Sequence, residues 1–263
     1  MTTSTVKSLA WTNVLLSLAP FSLHAAAQGD IVVPGDQTLI EGNTAFEPFT
    51  APSRVQQVYA GSEFGGGNFV GNILGIDFRP DNPLGGLGFT VTIPSVQLDL
   101  STTAKVPDAL SPVFAENVGA DDTVVFGPGP LTLHSNGGFC GTGRPCGFDI
   151  QIRFQRPFFY NPAAGNLLLD IRTFSGAMTA YYDAEYLPGG SVSLLIGAID
   201  GTSGGTWSGG LVTEFLVTPV PEPSAMILFL VGAGFLVLLI RRRAKLNRSR
   251  PSALSLRQDL RTH

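Results

Sequence analysis

The sequence predicts an all-β ectodomain, an antiparallel β-sandwich of jelly-roll-like type over residues 28–219, followed by one C-terminal transmembrane helix. Three observations predict it. Apolar and polar residues alternate with period two along many short segments of 28–219, where helix-period stripes are missing. Glycine and proline, 32 and 19 in the chain, recur every few residues and bound those segments. Residues 224–240 then form a run of 17 without a charge.

The first 27 residues read as a secretory signal peptide. Lys7 supplies the positive start, and Leu9 to Leu23 is a mostly apolar stretch. Ala25 and Ala27 place small residues at the two positions that signal peptidase reads. Polarity rises abruptly at Gln28-Gly29-Asp30, where the mature chain is expected to begin.

The strands of the body follow in order. In "VQLDL", Val96, Leu98 and Leu100 alternate with Gln97 and Asp99. In "FDIQIRF", Phe148, Ile150, Ile152 and Phe154 face one way, and Asp149, Gln151 and Arg153 the other. "LLLDIRTF", "AMTAYYDAEY", "SVSLLIG" and "LVTEFLVT" are further strands. Roughly ten strands over this length suit two antiparallel sheets sharing one core. "LTLHS" and "FDIQIRF" are expected to pair like a hairpin, with Cys140 and Cys146 tightening the loop between them. After export these two cysteines can oxidise, and a disulfide across so short a loop contributes about 2 kcal/mol. Two free thiols are the alternative. Their spacing does not suit a zinc site, and no histidine lies near enough to complete one.

Charge is distributed unevenly. Residues 28–219 carry 7 basic and 18 acidic side chains, whereas residues 241–263 carry 8 basic and 1 acidic. An acidic body with a short basic tail argues against nucleic acid as its partner.

Candidate chemistry in the body is sparse. Gly201 to Gly205, "GTSGG", has the form of a nucleophile segment around Ser203. Its partners are missing: His134 reads as a sheet-face residue, and His263 lies beyond the apolar run. Ser203 is therefore read as part of a turn. Asp121 with Asp122, and Asp77 with Asp81, are read as solvated turn carboxylates, with a structural Ca²⁺ as the alternative. The aromatic stretches "FFYNP" and "YYDAEY" suggest a sugar-stacking platform, but Tyr181 and Tyr182 are neighbours on a strand and point to opposite faces. No catalytic residue, metal ligand or cofactor is assigned.

The C-terminus is more specific. The run 224–240 reaches about 25 Å as a helix, the short end of what a bilayer core requires. Gly232 and Gly234 suit a membrane helix better than a water-exposed one. Arg241, Arg242, Arg243 and Lys245 follow as a membrane stop. They keep 241–245 and the tail 246–263 cytoplasmic, and so place the body outside. Ahead of the run, Pro221 and Pro223 lack an amide donor and hold the chain extended around Glu222.

Val220-Pro221-Glu222-Pro223, the glycine-containing run and the arginine cluster together resemble the PEP-CTERM sorting signal, over residues 220–245. The resemblance implies recognition by exosortase, a membrane-embedded processing enzyme of Gram-negative bacteria, with export across the inner membrane and transient anchoring. It also implies a final place in the cell envelope, at the cell surface or in extracellular matrix. "VGADDTVVF" and "FFYNPAAGNLLLDI" are similar to stretches of other exported proteins carrying this signal, which implies no activity. The expectation is a structural or adhesive protein, associated with extracellular polysaccharide and not an enzyme. The alternative is a secreted hydrolase using carboxylates alone, recognisable by converging, partly buried carboxylates in a cleft.

Overall fold

A computed structural model describes residues 29–82, 84–220 and 223–248; for the C-terminal helix, side-chain surroundings are described for 229–243 and 245. The signal-peptide residues, Ala25 and Ala27 among them, the motif residues Pro221 and Glu222, and the tail from 249 onward lie outside the described residues.

The described strands are β1 (Ile31–Val33), β2 (Thr44–Phe46), β3 (Ser53–Tyr59), β4 (Gly71–Phe78), β5 (Leu87–Thr103), β6 (Thr123–Gly137), β7 (Ile150–Tyr160), β8 (Asn166–Ser175), β9 (Tyr182–Tyr186), β10 (Val192–Gly197), β11 (Gly205–Trp207), β12 (Gly209–Leu211) and β13 (Thr213–Pro219). One helix, α1 (Pro223–Arg248), follows. All strand pairings between these elements are antiparallel. The sheets run β1-β13-β4-β7, β11-β10-β3-β8-β5-β6 and β12-β9-β2. These orders, rather than a jelly-roll name, describe the topology.

Two layers share one core. Tyr59 of the six-stranded sheet meets Phe215 of the four-stranded sheet edge-on at 4.9 Å, and its hydroxyl lies 2.9 Å from that of Thr213. Val96, Leu98, Leu100, Leu167, Leu169 and Ile171 bury one face of the large sheet against Ile73, Ile76, Phe78 and Ile152. Period-two alternation is what turns these side chains to one side. The three-stranded sheet continues the four-stranded one around a corner. Pro80 bridges Tyr182, Asp183 donates its N–H to Arg79 O at 3.0 Å, and Val212 donates to Asp183 O at 3.0 Å. The outer face of the large sheet is covered by Leu110 and Phe114, which pack on Val58, Leu168 and Leu195. There Arg54 donates Nη2 to Asp170 Oδ2 at 2.5 Å, beneath the Phe114 ring.

Two expectations change. The segments "LTLHS" and "FDIQIRF" do not form a hairpin. β6 pairs with β5 in one layer and β7 with β4 in the other. Leu131 and Leu133 fill the core from one side, while Ile150 and Ile152 fill it from the opposite side, so the connection arches across the sandwich. Asn136 N and Nδ2, at 2.6 and 2.8 Å from Asp149 Oδ2, hold its two feet together. The segment "AMTAYYDAEY" is strand only from Tyr182. Residues 176–181 turn away after β8, tied by the Ala177 N–H to Phe49 O at 3.1 Å.

Candidate functional site

The sorting segment begins where β13 ends. Pro219 pairs with Gly71, and the Val220 N–H donates to Val70 O at 2.9 Å, closing the ladder at the edge of the body. Pro223 opens α1, a position where its missing N–H costs nothing and its fixed φ fits. The helix is 26 residues long. The large apolar side chains from Phe229 to Ile240 stand exposed instead of joining either core cluster. Arg241, Arg242 and Arg243 are exposed on its last turns, where positive charge complements the helix dipole. Among the described residues, no helix is long and apolar enough to cross a membrane.

Cys140 and Cys146 form a disulfide within the arch between β6 and β7. Ser203 sits in an exposed turn and bridges Val113. His134 faces outward on β6, with Nδ1 3.0 Å from Thr90 Oγ1, and is engaged there rather than with Ser203. Tyr181, just ahead of β9, is 46% exposed, whereas Tyr182, the first residue of β9, is fully buried, so the two do not share one platform. Asp121 accepts from Thr102 N at 2.7 Å. Asp77 is buried and pairs with Arg153.

Asp81 parts from Asp77 and joins a cluster that sequence order hides. Glu41, Asp81 and Asp183 bring carboxylate oxygens within 4.8 Å of one another at the corner between the two sheets. Asp183 lies on β9, Asp81 just past β4, and Glu41 just before β2. Gly42 lets its loop pass against β9, because a Cβ there would overlap Ala184 O. Its N–H donates to Asp183 Oδ1 at 2.9 Å. Arg79, buried beside them, donates Nε to Asp183 Oδ2 at 2.6 Å and Nη2 to Gln37 O and Ile40 O at 2.9 and 2.6 Å. Glu41 Oε1 accepts from Asn82 N at 2.8 Å, whereas Glu41 Oε2 and Arg79 Nη1 are buried without a hydrogen-bond partner.

Burial pushes the Glu41 carboxyl up to about 7, with Asp183 and Asp81 adding to the rise and Asn82 and Arg79 opposing it. Burial likewise pushes Asp183 up to about 6 against the pull of Arg79. Three oxygens at this spacing suit a hard cation, and Glu41, Asp81 and Asp183 are the residues that would hold one. Arg79 already supplies one positive charge beside the three carboxyls, and the cluster pins the corner between the two sheets. A carboxyl raised on folding favours the folded state while protonated. The contributions of Glu41 and Asp183 are therefore fully present below about pH 4 and lost as pH rises through about 6 to 7. Glu41→Gln is expected to remove the Glu41 share, about 1–2 kcal/mol once solvent screening is allowed for. Its thermal midpoint should change by a few degrees less than wild type between about pH 4 and pH 8. Identical slopes for the two proteins would contradict this.

A second acidic feature is a surface cleft of about 490 Å³ lined by Asp36, Ser62, Glu63, Glu185 and Ser191. Glu63 Oε2 accepts from Gly35 N at 2.9 Å, and Glu185 Oε1 accepts from Gln37 Nε2 at 2.9 Å. Burial raises the Glu185 pKa, and the carboxylates of Asp36, Asp183 and Glu63 raise it further. Neither grouping was legible in the sequence, because its members are separated by turns of unknown geometry.

Residues 219–243 match the family model of the PEP-CTERM protein-sorting motif. That motif implies an exported protein sorted through exosortase. No curated protein and no solved structure matches the chain.

Proposed function

We propose that the chain is a cell-surface or extracellular-matrix protein, exported by its signal peptide, held briefly in the inner membrane and then processed by exosortase near Glu222. The observation that carries this reading is the sorting motif, set where β13 leaves the body, followed by a helix whose apolar side chains stay out of the core. The transmembrane part of the proposal rests on sequence. The 17 uncharged residues 224–240 reach about 25 Å as a helix, enough for a thin hydrocarbon layer, and Arg241, Arg242, Arg243 and Lys245 stop transfer behind them. Pro221 and Pro223 lack an amide donor and flank Glu222 in the sequence just ahead of the apolar run, which makes this tripeptide the proposed grip for the enzyme.

The test uses a host that has exosortase. Wild-type protein is expected to lose its C-terminal segment, and Glu222→Ala to retain it, read by intact mass. If both proteins keep full length, the tripeptide is only a spacer and the reading fails.

For the body, a structural or adhesive role toward extracellular polysaccharide is proposed, supported by its β-rich, disulfide-closed architecture. The cleft of Asp36, Glu63 and Glu185 favours the second reading, a hydrolase working through carboxylates. Assaying the mature protein on polysaccharides for both binding and cleavage separates the two.

A further inference from the structure

β5 is longer than its neighbour. Its pairing with β8 begins at Ser95 with Ser175, while its pairing with β6 extends back to Leu87. Residues 87–93 and 131–137 therefore form a two-stranded ribbon beyond the rest of the sheet. β6 occupies one side of 87–93. On the other side the chain has turned away after Ser175, and no backbone hydrogen bond among the described residues reaches this edge.

Open edges on soluble proteins are normally blunted by charge, proline or a bulge. Leu87-Gly88-Phe89-Thr90-Val91-Thr92-Ile93 contains none of these, and the register first shifts after Ile93. Residues 87–93 and 131–137 contain no Asp, Glu, Lys or Arg, in a body of 7 basic and 18 acidic side chains. Two copies of such a body repel each other, so this ribbon is where they can approach at least cost.

The edge is also complementary to itself. In an antiparallel pair centred on Thr90, Thr90 faces Thr90, Phe89 faces Val91, Gly88 faces Thr92 and Leu87 faces Ile93. The side of the ribbon that holds Phe89, Val91 and Ile93 turns toward the core, with Leu131 and Leu133 opposite them. The other side is polar, with Thr90 Oγ1 3.0 Å from His134 Nδ1 and Thr92 Oγ1 2.8 Å from Thr132 Oγ1. This one register sets apolar against apolar on the inner side and small or hydroxylic residues together on the outer side. A slip by one residue would break both.

We propose that residues 87–93 are a self-association edge. A second copy of this chain pairs antiparallel about Thr90 and joins the two six-stranded sheets into one.

The register makes the test specific. Directly opposed side chains have Cβ atoms about 5 Å apart, whereas Thr92 of one copy would lie about 13 Å along the strand from Thr92 of the other. The full chain, produced in a host without exosortase and extracted in mild detergent, is compared as Thr90→Cys and Thr92→Cys. Both positions are exposed, and the native cysteines are joined to each other. After mild oxidation, non-reducing gels should show Thr90→Cys dimers at least about five-fold above Thr92→Cys, as that difference in spacing requires. Thr90→Lys should sediment as a monomer with an unchanged circular dichroism spectrum. Equal cross-linking at the two positions, or wild-type chain that sediments as a monomer, overturns the proposal.

Discussion

Arg79→Met is expected to destabilise the body by about 3–5 kcal/mol, because it strands buried carboxylates without their cation. Arg79 is 1% exposed, and its guanidinium holds Asp183, the carbonyls of Gln37 and Ile40, and a position 5.0 Å over the Phe148 ring. Methionine keeps the length of the stem and removes every one of those donors. Asp183 then accepts only from Gly42 N–H, with Glu41 and Asp81 close by. Domains of this size have about 5–15 kcal/mol in total, so the loss would be read as a melting point roughly 6–20 °C lower. The effect should shrink in acid, where the three carboxyls are protonated and have no charge left to balance. A variant that melts within 2 °C of wild type, taken as about half a kcal/mol, would show that the pin contributes nothing net.

Phe64→Ala is expected to cost a similar amount, about 3–5 kcal/mol, by a different route. The Phe64 ring is fully buried in a turn segment and touches three others, Tyr160 at 4.9 Å, Phe215 at 5.1 Å and Phe69 at 6.4 Å. Removing it opens a cavity at the end of the sandwich where Val70 holds Val220. Urea unfolding would measure the global loss, and amide exchange at Val220 would show whether the exit of the sorting segment loosens with it. Phe64→Leu should recover more than half of the loss. If alanine and leucine cost the same, the ring contacts are not what matters.

The strand segments were legible wherever one face was apolar and the other wet. Ile150 and Ile152 against Gln151 and Arg153 is such a case, and those residues form β7. β3 was missed because Gln56 and Gln57 are both buried and break the alternation. Layer assignment was not legible either. The arch between β6 and β7 has the composition of a hairpin loop, and only the need to fill the core from both sides separates them. At the corner, Asp81 and Asp183 look like turn and strand-face carboxylates in one dimension. Their burial depends on Gly42 letting a third loop pass, and on Arg79 supplying charge from β4's continuation. The sorting segment was legible because its parts are contiguous and lipid, enzyme and charge each read short local sequence. The hydroxyl ladder of Thr90 and Thr92 shows the opposite case, since its meaning lies in which neighbour is missing.

β13 leads directly into the sorting segment, and it is an inner strand flanked by β1 and β4. Under the surface attachment proposed above, flow and contact would reach the body as tension along that strand. The pull runs parallel to β13, so the seven residues paired with β4 are loaded in shear together rather than peeled one at a time. On that reading the body is loaded through an inner strand with a partner on each side. Pulled from an edge strand such as β7, with one neighbour only, the same molecule should give way at lower force.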